Sequence, residues 1–530
     1  MTAPAHAGGA LPSNGQYVAG QGSISGTSSS VTVNQSSSRG IINWGSFSIG
    51  AGNQVLFNNG SGATLNRVMG GDLSRIDGSL KATGSVYLIN PQGIVIGPGG
   101  QVIANGSFVA STRDVSNNAF MSGGAFSASG TSNGSIINQG VITSNTGDAI
   151  LVGSSVTNTG SISAPSGTVG LAAGNEITLQ PAGSDPRIAI SGGAGSVTNA
   201  GNIRAAQAEL NAAGGNVYAL VENNGGIISA TGTQTINGHV WLTAGGTGTV
   251  RVAGNVTAEN ANGNGGDVTV RGYAINIPGT INASASAANG AGGNVSVVAT
   301  NNTTVSGAIH AGGGVTGQGG AIETSGHTLS FGGSHIDAGK GGSWLLDPYD
   351  LDVDATAATT IDNSLEAGTS VTLQTTATGA SGPGNQNASG QGDININAPL
   401  TWDTSATLTL DAYRSIVITA GIAVQGGGGV VLITNHGGTG GDLSFGLGPS
   451  GFAGNIQFTG TEGSGQSLTI NGSAYTLIYS MDEFQAVNNN LSGNYALAQS
   501  LNFTQSSWIP LGTDGAGNLL NSSDGFTGTF

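Results

Sequence analysis

The chain has 530 residues, 97 of them glycine, and only 7% carry a charge, against roughly 25% in an ordinary soluble protein. Lys and Arg number 11 against 27 Asp and Glu, a net charge of −16, and cysteine is absent. So sparse and negative a chain argues against nucleic-acid binding, which needs phosphate-neutralising cations, and without cysteine there is no disulfide, thiolate metal site or Cys nucleophile. Disorder is a poor reading too, because 37% of residues are hydrophobic and fall in short Val, Ile and Leu alternations. Ser, Thr and Asn dominate the polar set and suit turns and stacked strands. No apolar run approaches the ~20 residues of a membrane-spanning helix. The composition predicts an all-β chain, and at this length a repetitive one.

Residues 1–7 come first. Ala5-His6-Ala7 has the small-x-small form of a signal-peptidase site, but no basic or apolar region precedes it; the segment reads as a signal-peptide remnant or a flexible tip. The most distinctive text follows within residues 11–115. Arg39 to Gly50 reads Arg-Gly-Ile-Ile-Asn-Trp-Gly-Ser-Phe-Ser-Ile-Gly, followed by Ala63-Thr64-Leu65-Asn66-Arg67-Val68 and Ser74-Arg75-Ile76-Asp77-Gly78-Ser79-Leu80. Val86-Tyr87-Leu88-Ile89-Asn90-Pro91-Gln92-Gly93-Ile94-Val95-Ile96-Gly97 comes next, and Phe108-Val109-Ala110-Ser111-Thr112 closes the block. Pro and Gly at the second and fourth positions of Asn90–Ile94 fit a tight turn, after which Ile94, Val95 and Ile96 begin a strand.

This block resembles the amino-terminal secretion domain of the two-partner-secretion exoproteins, the family of filamentous haemagglutinin and the high-molecular-weight adhesins. The likeness is continuous over ~80 residues. The family's Asn-Pro-Asn-Gly-Ile appears with Gln92 in the third place, and its Asn-Pro-Asn-Leu motif has no counterpart, which sides the chain with the adhesin-like branch. The resemblance implies export by a dedicated outer-membrane β-barrel transporter with periplasmic domains. It makes Asn66, Arg67, Asn90, Pro91, Gln92, Gly93 and Ile94 the residues expected to carry transporter recognition. It also implies a secreted, cell-surface location reached through the periplasm.

Further along, a glycine followed by a short β-forming run recurs at Gly215, Gly238, Gly266, Gly293, Gly320 and Gly342. Steps of this size are too short for a four-stranded propeller blade of ~40–45 residues and fit three short strands with turns. The expectation is a right-handed parallel β-helix solenoid with a capped amino-terminal secretion domain, its Val, Ile, Thr and Ala facing inward and its Asn residues able to form ladders. The predicted organisation is a tip at 1–7, a secretion domain over 8–220 built of further coils from 116 onward, and regular β-helix repeats over 221–345. Looser repeats follow over 346–470, with Ser381 to Gly392 as an excursion loop. Residues 471–530 change character, with a short helix at Met481–Ala486, and Gly525–Phe530 reads as the opening of another repeat in a longer protein.

Parallel β-helices also carry polysaccharide-cleaving enzymes, so chemistry must be sought. Those sites need clustered carboxylates with a basic residue or Ca²⁺. Here the only lysines are Lys81 and Lys340 and the arginines are scattered. No Gly-x-Ser-x-Gly elbow is present, and Gly339-Lys340 lacks the earlier glycine of a phosphate loop. Asp350, Asp352 and Asp354 alternate with Leu351 and Val353, which puts three carboxylates on one strand face. They are weak candidates for Ca²⁺, and a solvated face is the simpler reading. His335 and Asp337 share a face with His327 eight residues back, but no third ligand is legible. No cofactor is expected. The sequence reads as a non-enzymatic surface adhesin meeting a host-cell receptor or glycan, with a secreted glycan-cleaving enzyme or the stalk of a contact-dependent toxin as alternatives.

Overall fold

A strand that alternates aliphatic with polar residues can bury one face and solvate the other, and copies of such a strand stack in register. The computed structural model describes residues 10–213, 220–376, 383–385, 390–449, 451–503, 508–520 and 525–530. They divide into two units, Met1–Thr300 with Gly313–Gly317, and Asn301–Gly312 with Gln318–Phe530. In the first unit, Ser30–Gln35, Gln54–Asn58, Ser79–Ala82, Gln101–Ala104 and Val141–Ser144 run parallel, each over the last. Their register lines up Val31, Val55, Leu80, Val102 and Ile142, all buried. A second stack climbs from Arg39–Trp44 through Ala63–Val68, Ser85–Ile89, Phe108–Ser111 and Ala149–Gly153. A third climbs from Ser74–Ile76 through Ile94–Ile96, Ser135–Asn138 and Ser155–Asn158. Each coil contributes one strand to each stack, and the fold is the expected right-handed parallel β-helix.

The first coil is closed by antiparallel strands. Gln16–Ala19 lies on Arg39–Trp44, and Gly22–Gly26 on Ser30–Gln35. Both cover strand edges that a bare solenoid end would leave open to unwanted pairing. The interior near this cap is filled by Trp44, Phe47 and Phe57, with Trp44 and Phe47 meeting edge to face at 5.5 Å.

Higher in the third stack the expected amide ladder forms. Asn138 Nδ2 donates to Asn158 Oδ1 at 2.8 Å, Asn158 Nδ2 to Asn199 Oδ1 at 2.7 Å, and Asn199 Nδ2 to Asn223 Oδ1 at 3.0 Å. All four side chains are buried. Each sits at the same place in an aliphatic-x-Asn-x-Gly corner, so one hydrogen-bonded column runs inside four successive coils.

Residues 116–220 are not coils alone. A helix, Asn117–Ser122, and a three-stranded antiparallel sheet of Phe126–Ser129, Glu176–Leu179 and Ile188–Ser191 leave the solenoid. Ile177, Leu179 and Ile188 pack on Val109, Ile150 and Val152 of the second stack. Polar anchors finish the join: Arg187 Nε meets Asp148 Oδ2 at 3.0 Å, and the backbone N–H groups of Arg187 and Ile188 donate to the Glu209 carboxylate at 2.5 and 2.9 Å. The Glu209 side chain is fully buried. Burial, partly offset by those two hydrogen bonds, pushes its pKa up from 4.5 to about 7. Between those values the unfolded chain has lost a proton that the folded chain keeps. Stability therefore falls as pH rises from 4.5 through 7, by up to about 3 kcal/mol for a shift of this size. Thermal unfolding midpoints are expected to be lower at pH 8 than at pH 5, and Glu209→Gln should reduce the difference.

The repeat steps hold where strands can be compared directly. His239 stands over Asp267, as the Gly238-to-Gly266 step requires, and Ala321 pairs with Ser343, as the Gly320-to-Gly342 step requires. The step from Gly215 falls outside the described residues; the strand beneath His239–Ala244 is Asn202–Ala212, with Gln207 opposite His239. Residues 1–7, 214–219 and half of the 381–392 loop lie outside the described residues.

The second unit repeats the architecture. Ala321–Ser325, Ser343–Asp347, Ser370–Gln374, Thr407–Asp411, Gly429–Ile433 and Ser467–Ile470 form one parallel stack. Leu351–Val353, Ile394–Ile396 and Ile416–Ile418 form a second, and Leu400–Trp402, Gly421–Val424 and Asn455–Phe458 a third. The helix Ala355–Glu366 was not anticipated. Asp354 caps it, accepting from Thr356 and Ala357 N–H, and Ala357, Ile361 and Leu365 are buried. Ser473–Ile478 then turns back antiparallel on Ser467–Ile470. The short helix Met481–Ala486 appears as expected, closed by a capping box between Ser480 and Glu483.

Candidate functional site

The residues singled out in the first coils fall on two adjoining strands and the turn that follows them. Asn66 lies in Ala63–Val68 with its side chain fully buried. Its Oδ1 accepts from Trp44 Nε1 at 3.0 Å, and its Nδ2 donates to Tyr87 O at 3.2 Å. Arg67, its neighbour, points to the opposite face. Arg67 Nε contacts both carboxylate oxygens of Asp114 at 3.0 Å, Nη1 donates to Asn117 Oδ1 at 3.0 Å, and Nη2 to Val115 O at 2.8 Å. A single guanidinium thus ties the segment from Asp114 to Asn117 to the second stack.

Asn90, Pro91, Gln92 and Gly93 form a tight turn, closed by Gly93 N–H donating to Asn90 O at 3.1 Å. Gly93 has a φ of +116°, a conformation that costs a residue with a Cβ dearly. Asn90 is buried and works in three directions. Its Oδ1 accepts from Gln92 N–H at 2.9 Å, and its Nδ2 donates to Asp72 O at 2.9 Å and Ser74 Oγ at 3.0 Å. Ile94 is buried and opens the next strand of the third stack. Pro91 and Gln92 are exposed, and Ser132 Oγ donates to Pro91 O.

The Asn90 contact to Asp72 brings in a segment that motif reading passed over. Met69-Gly70-Gly71-Asp72-Leu73 leaves the second stack as a loop, with Met69 63% and Leu73 49% exposed. Two large apolar side chains on a glycine-containing loop, outside any strand alternation, were the available signal. The site has therefore two kinds of residue: Asn66, Arg67 and Asn90 hold the backbone, while Met69, Leu73, Pro91 and Gln92 face outward. Arg113, next to the Phe108–Thr112 motif, also escaped notice. It is 1% exposed and donates to Gly174 O and Ser132 O, both at 2.7 Å.

The three aspartates of the second unit do not gather on one ion-sized point. Asp350 Oδ1 accepts from the backbone N–H groups of Gln391, Gly392 and Asp393 at 2.9, 2.7 and 3.1 Å. Asp352 accepts from Asn395 Nδ2 at 2.7 Å, and Asp354 caps the helix that starts at Ala355. Each carboxylate is used locally. The His335–Asp337 pair stands apart from His327, which hydrogen-bonds Tyr349 Oη at 2.9 Å and stacks on its ring. His310 lies beside the pair instead.

Comparison with known proteins gives the site its context. Residues 7–258 match the family model described as TPS secretion domain. The crystal structure of the HMW1 secretion domain from Haemophilus influenzae superimposes with a TM-score of 0.58 at 25% identity, covering 68% of this chain and 100% of that one. A heme/hemopexin-binding protein of Haemophilus influenzae strain Rd is 36% identical over 107 residues, 20% of this chain and 12% of that protein. A second heme/hemopexin-binding protein of Haemophilus influenzae is 40% identical over 91 residues, 17% of this chain and 10% of that protein. The matched region thus spans about a tenth of those relatives' length. The family is one of exoprotein secretion domains and is not a known enzyme class, its members are secreted through the periplasm to the cell surface, and among the described residues no helix is long and apolar enough to cross a membrane. Residues 7–258, built on a capped β-helix, are thus a TPS secretion domain, the domain of two-partner-secretion exoproteins, which pass through the outer membrane by way of a partner transporter.

Proposed function

We propose that residues 8–220 are the part of the chain that addresses the outer-membrane β-barrel transporter and its periplasmic domains, and that the coils beyond present a distal region as a filamentous adhesin for a host-cell receptor or glycan. The supporting observation is the division of labour at Asn90. This one buried amide fixes the Asn90–Gly93 turn and the Met69–Leu73 loop together, so that exposed Met69, Leu73, Pro91 and Gln92 form a defined outward surface. In this reading Asn66, Arg67 and Asn90 are positioning residues, and Gly93 and Ile94 set the turn and the strand after it. Each coil that folds outside the cell buries further apolar surface and disfavours return, so export needs no nucleotide-driven step in the exoprotein itself.

The test is extracellular yield, for wild type and Asn90→Ala, in cells with and without the partner transporter. Asn90→Ala leaves the buried Ser74 Oγ without its partner, at about 1–3 kcal/mol, and releases Asp72 O and Gln92 N–H on the more exposed side. Extracellular protein is expected to fall steeply in the variant and to vanish without the transporter, at equal synthesis. Undiminished export in both would sink the proposal and bring assays for glycan cleavage forward. A second reading, capture of a heme-carrying ligand by the distal region, is favoured by the names of the two relatives. Binding of heme and hemopexin to the secreted chain, measured against a glycan panel, separates it from adhesion.

A further inference from the structure

Three of the five described histidines are hydrogen-bonded to neighbouring side chains. His239 meets Asp185 Oδ2 at 2.9 Å and Thr269 Oγ1 at 3.0 Å, His327 meets Tyr349, and His436 meets Asp411 Oδ1 at 2.7 Å. His310 and His335 are different. Among the described residues neither imidazole has a hydrogen-bond partner, and they lie against each other with ring centroids 5.2 Å apart and planes tilted by 54°.

The backbone explains how they meet. Ala308–His310 and His335–Asp337 are parallel neighbours, with Ala308 opposite His335, Ile309 opposite Ile336 and His310 opposite Asp337. Ile309 and Ile336 are buried, so the alternation turns His310, His335 and Asp337 to the outer face. One ligand atom from each of the three lies within 4.8 Å of the other two. Asp337 Oδ1 is held by Gly339 N–H at 2.7 Å and by Thr369 Oγ1 at 3.4 Å, the kind of outer support that orients a ligating carboxylate.

We propose that His310, His335 and Asp337 form a binding site for a first-row divalent transition metal of the zinc type. Two imidazoles and one carboxylate are the donor set such ions favour, whereas Ca²⁺ and Mg²⁺ take mostly oxygen. Tetrahedral zinc with bonds of about 2.0–2.1 Å sets its donors about 3.3 Å apart, so atoms within 4.8 Å of one another must close by at most about 1.5 Å. His335 is exposed and His310 and Asp337 half-buried, which leaves side-chain rotation free to do this. The fourth position is left to water or to a group from a ligand. The ion would clamp two adjacent coils together through their outer face, and because the site exists only when those coils are stacked, binding stabilises the fold by mass action.

The experiment is calorimetric titration of the whole chain with zinc chloride, for wild type, His310→Ala, His335→Ala, Asp337→Asn and the control His436→Gln. Wild type and the control are expected to take up one equivalent. Each of the three ligand variants should bind at least about tenfold more weakly, since even loss of an outer-shell partner costs 10–100-fold. The unfolding midpoint should rise with zinc in wild type and not in the three variants. Circular dichroism without metal checks that the variants fold, which their exposure favours. Absence of saturable binding by wild type overturns the assignment, and so does wild-type affinity in His310→Ala and His335→Ala.

Discussion

Asn158→Ala is expected to destabilise the amino-terminal unit by about 3–5 kcal/mol. The side chain is the middle rung of a buried column: it accepts from Asn138 and donates to Asn199. Alanine strands the Asn199 carbonyl oxygen and deprives Asn138 of its 2.8 Å acceptor, at about 1–3 kcal/mol for each buried group left unmet, and adds a small cavity. Thr157→Ala, one residue away on the half-buried outer side, should cost far less. Urea unfolding of both variants measures the difference. Because 158 and 199 share one hydrogen bond, the double variant Asn158→Ala/Asn199→Ala should cost less than the two singles added. Simple additivity would mean that the column is four independent corners and not a cooperative element.

That column also marks how far the sequence could be read. Ser155-Val156-Thr157-Asn158 and Ser196-Val197-Thr198-Asn199 repeat residue for residue, and a stacked amide is what such repetition predicts. The solenoid was legible for the same reason: Val31 and Val33, Val55 and Phe57, Leu80 and Ala82, and Val102 and Ala104 keep the period of 2 within strands, and glycine marks the corners between them. The helix at Ala355–Glu366 was hidden by its own composition. Its buried residues Ala357, Ile361 and Leu365 do recur at helical spacing after a capping Asp354, but Thr359 and Thr360 are β-branched and the preceding Leu351–Val353 alternates as a strand. The antiparallel excursion of Phe126–Ser129, Glu176–Leu179 and Ile188–Ser191 was hidden because its strands carry the same alternation as the coils, and only long-range pairing tells them apart.

The candidate site was legible as a set of residues and not as geometry. Motif reading found Asn66, Arg67 and the Asn90–Ile94 turn, but spacing along a chain cannot say that Asn90 reaches back to Asp72 across a neighbouring coil. Nor could it find His310, which is separated from His335 by a full coil and joins it only through the register of their strands.

Met69→Ser/Leu73→Ser should reduce export by about tenfold or more while leaving the stability of the folded domain within about 0.5 kcal/mol, as exposed substitutions usually do. Two apolar side chains, 63% and 49% exposed, contribute little to the fold and can contribute apolar contact to a partner. Asn66→Ala makes the opposing case. It removes the acceptor for Trp44 Nε1 and the donor to Tyr87 O in the buried second stack, at about 2–4 kcal/mol, and touches no outward surface. If the transporter reads the loop, the double serine variant loses export with its unfolding midpoint unchanged, whereas Asn66→Ala loses export only in proportion to lost stability. If the double variant is exported as well as wild type and Asn66→Ala is not, the motif residues act through folding of the first coils alone, and the outward loop has no part in recognition.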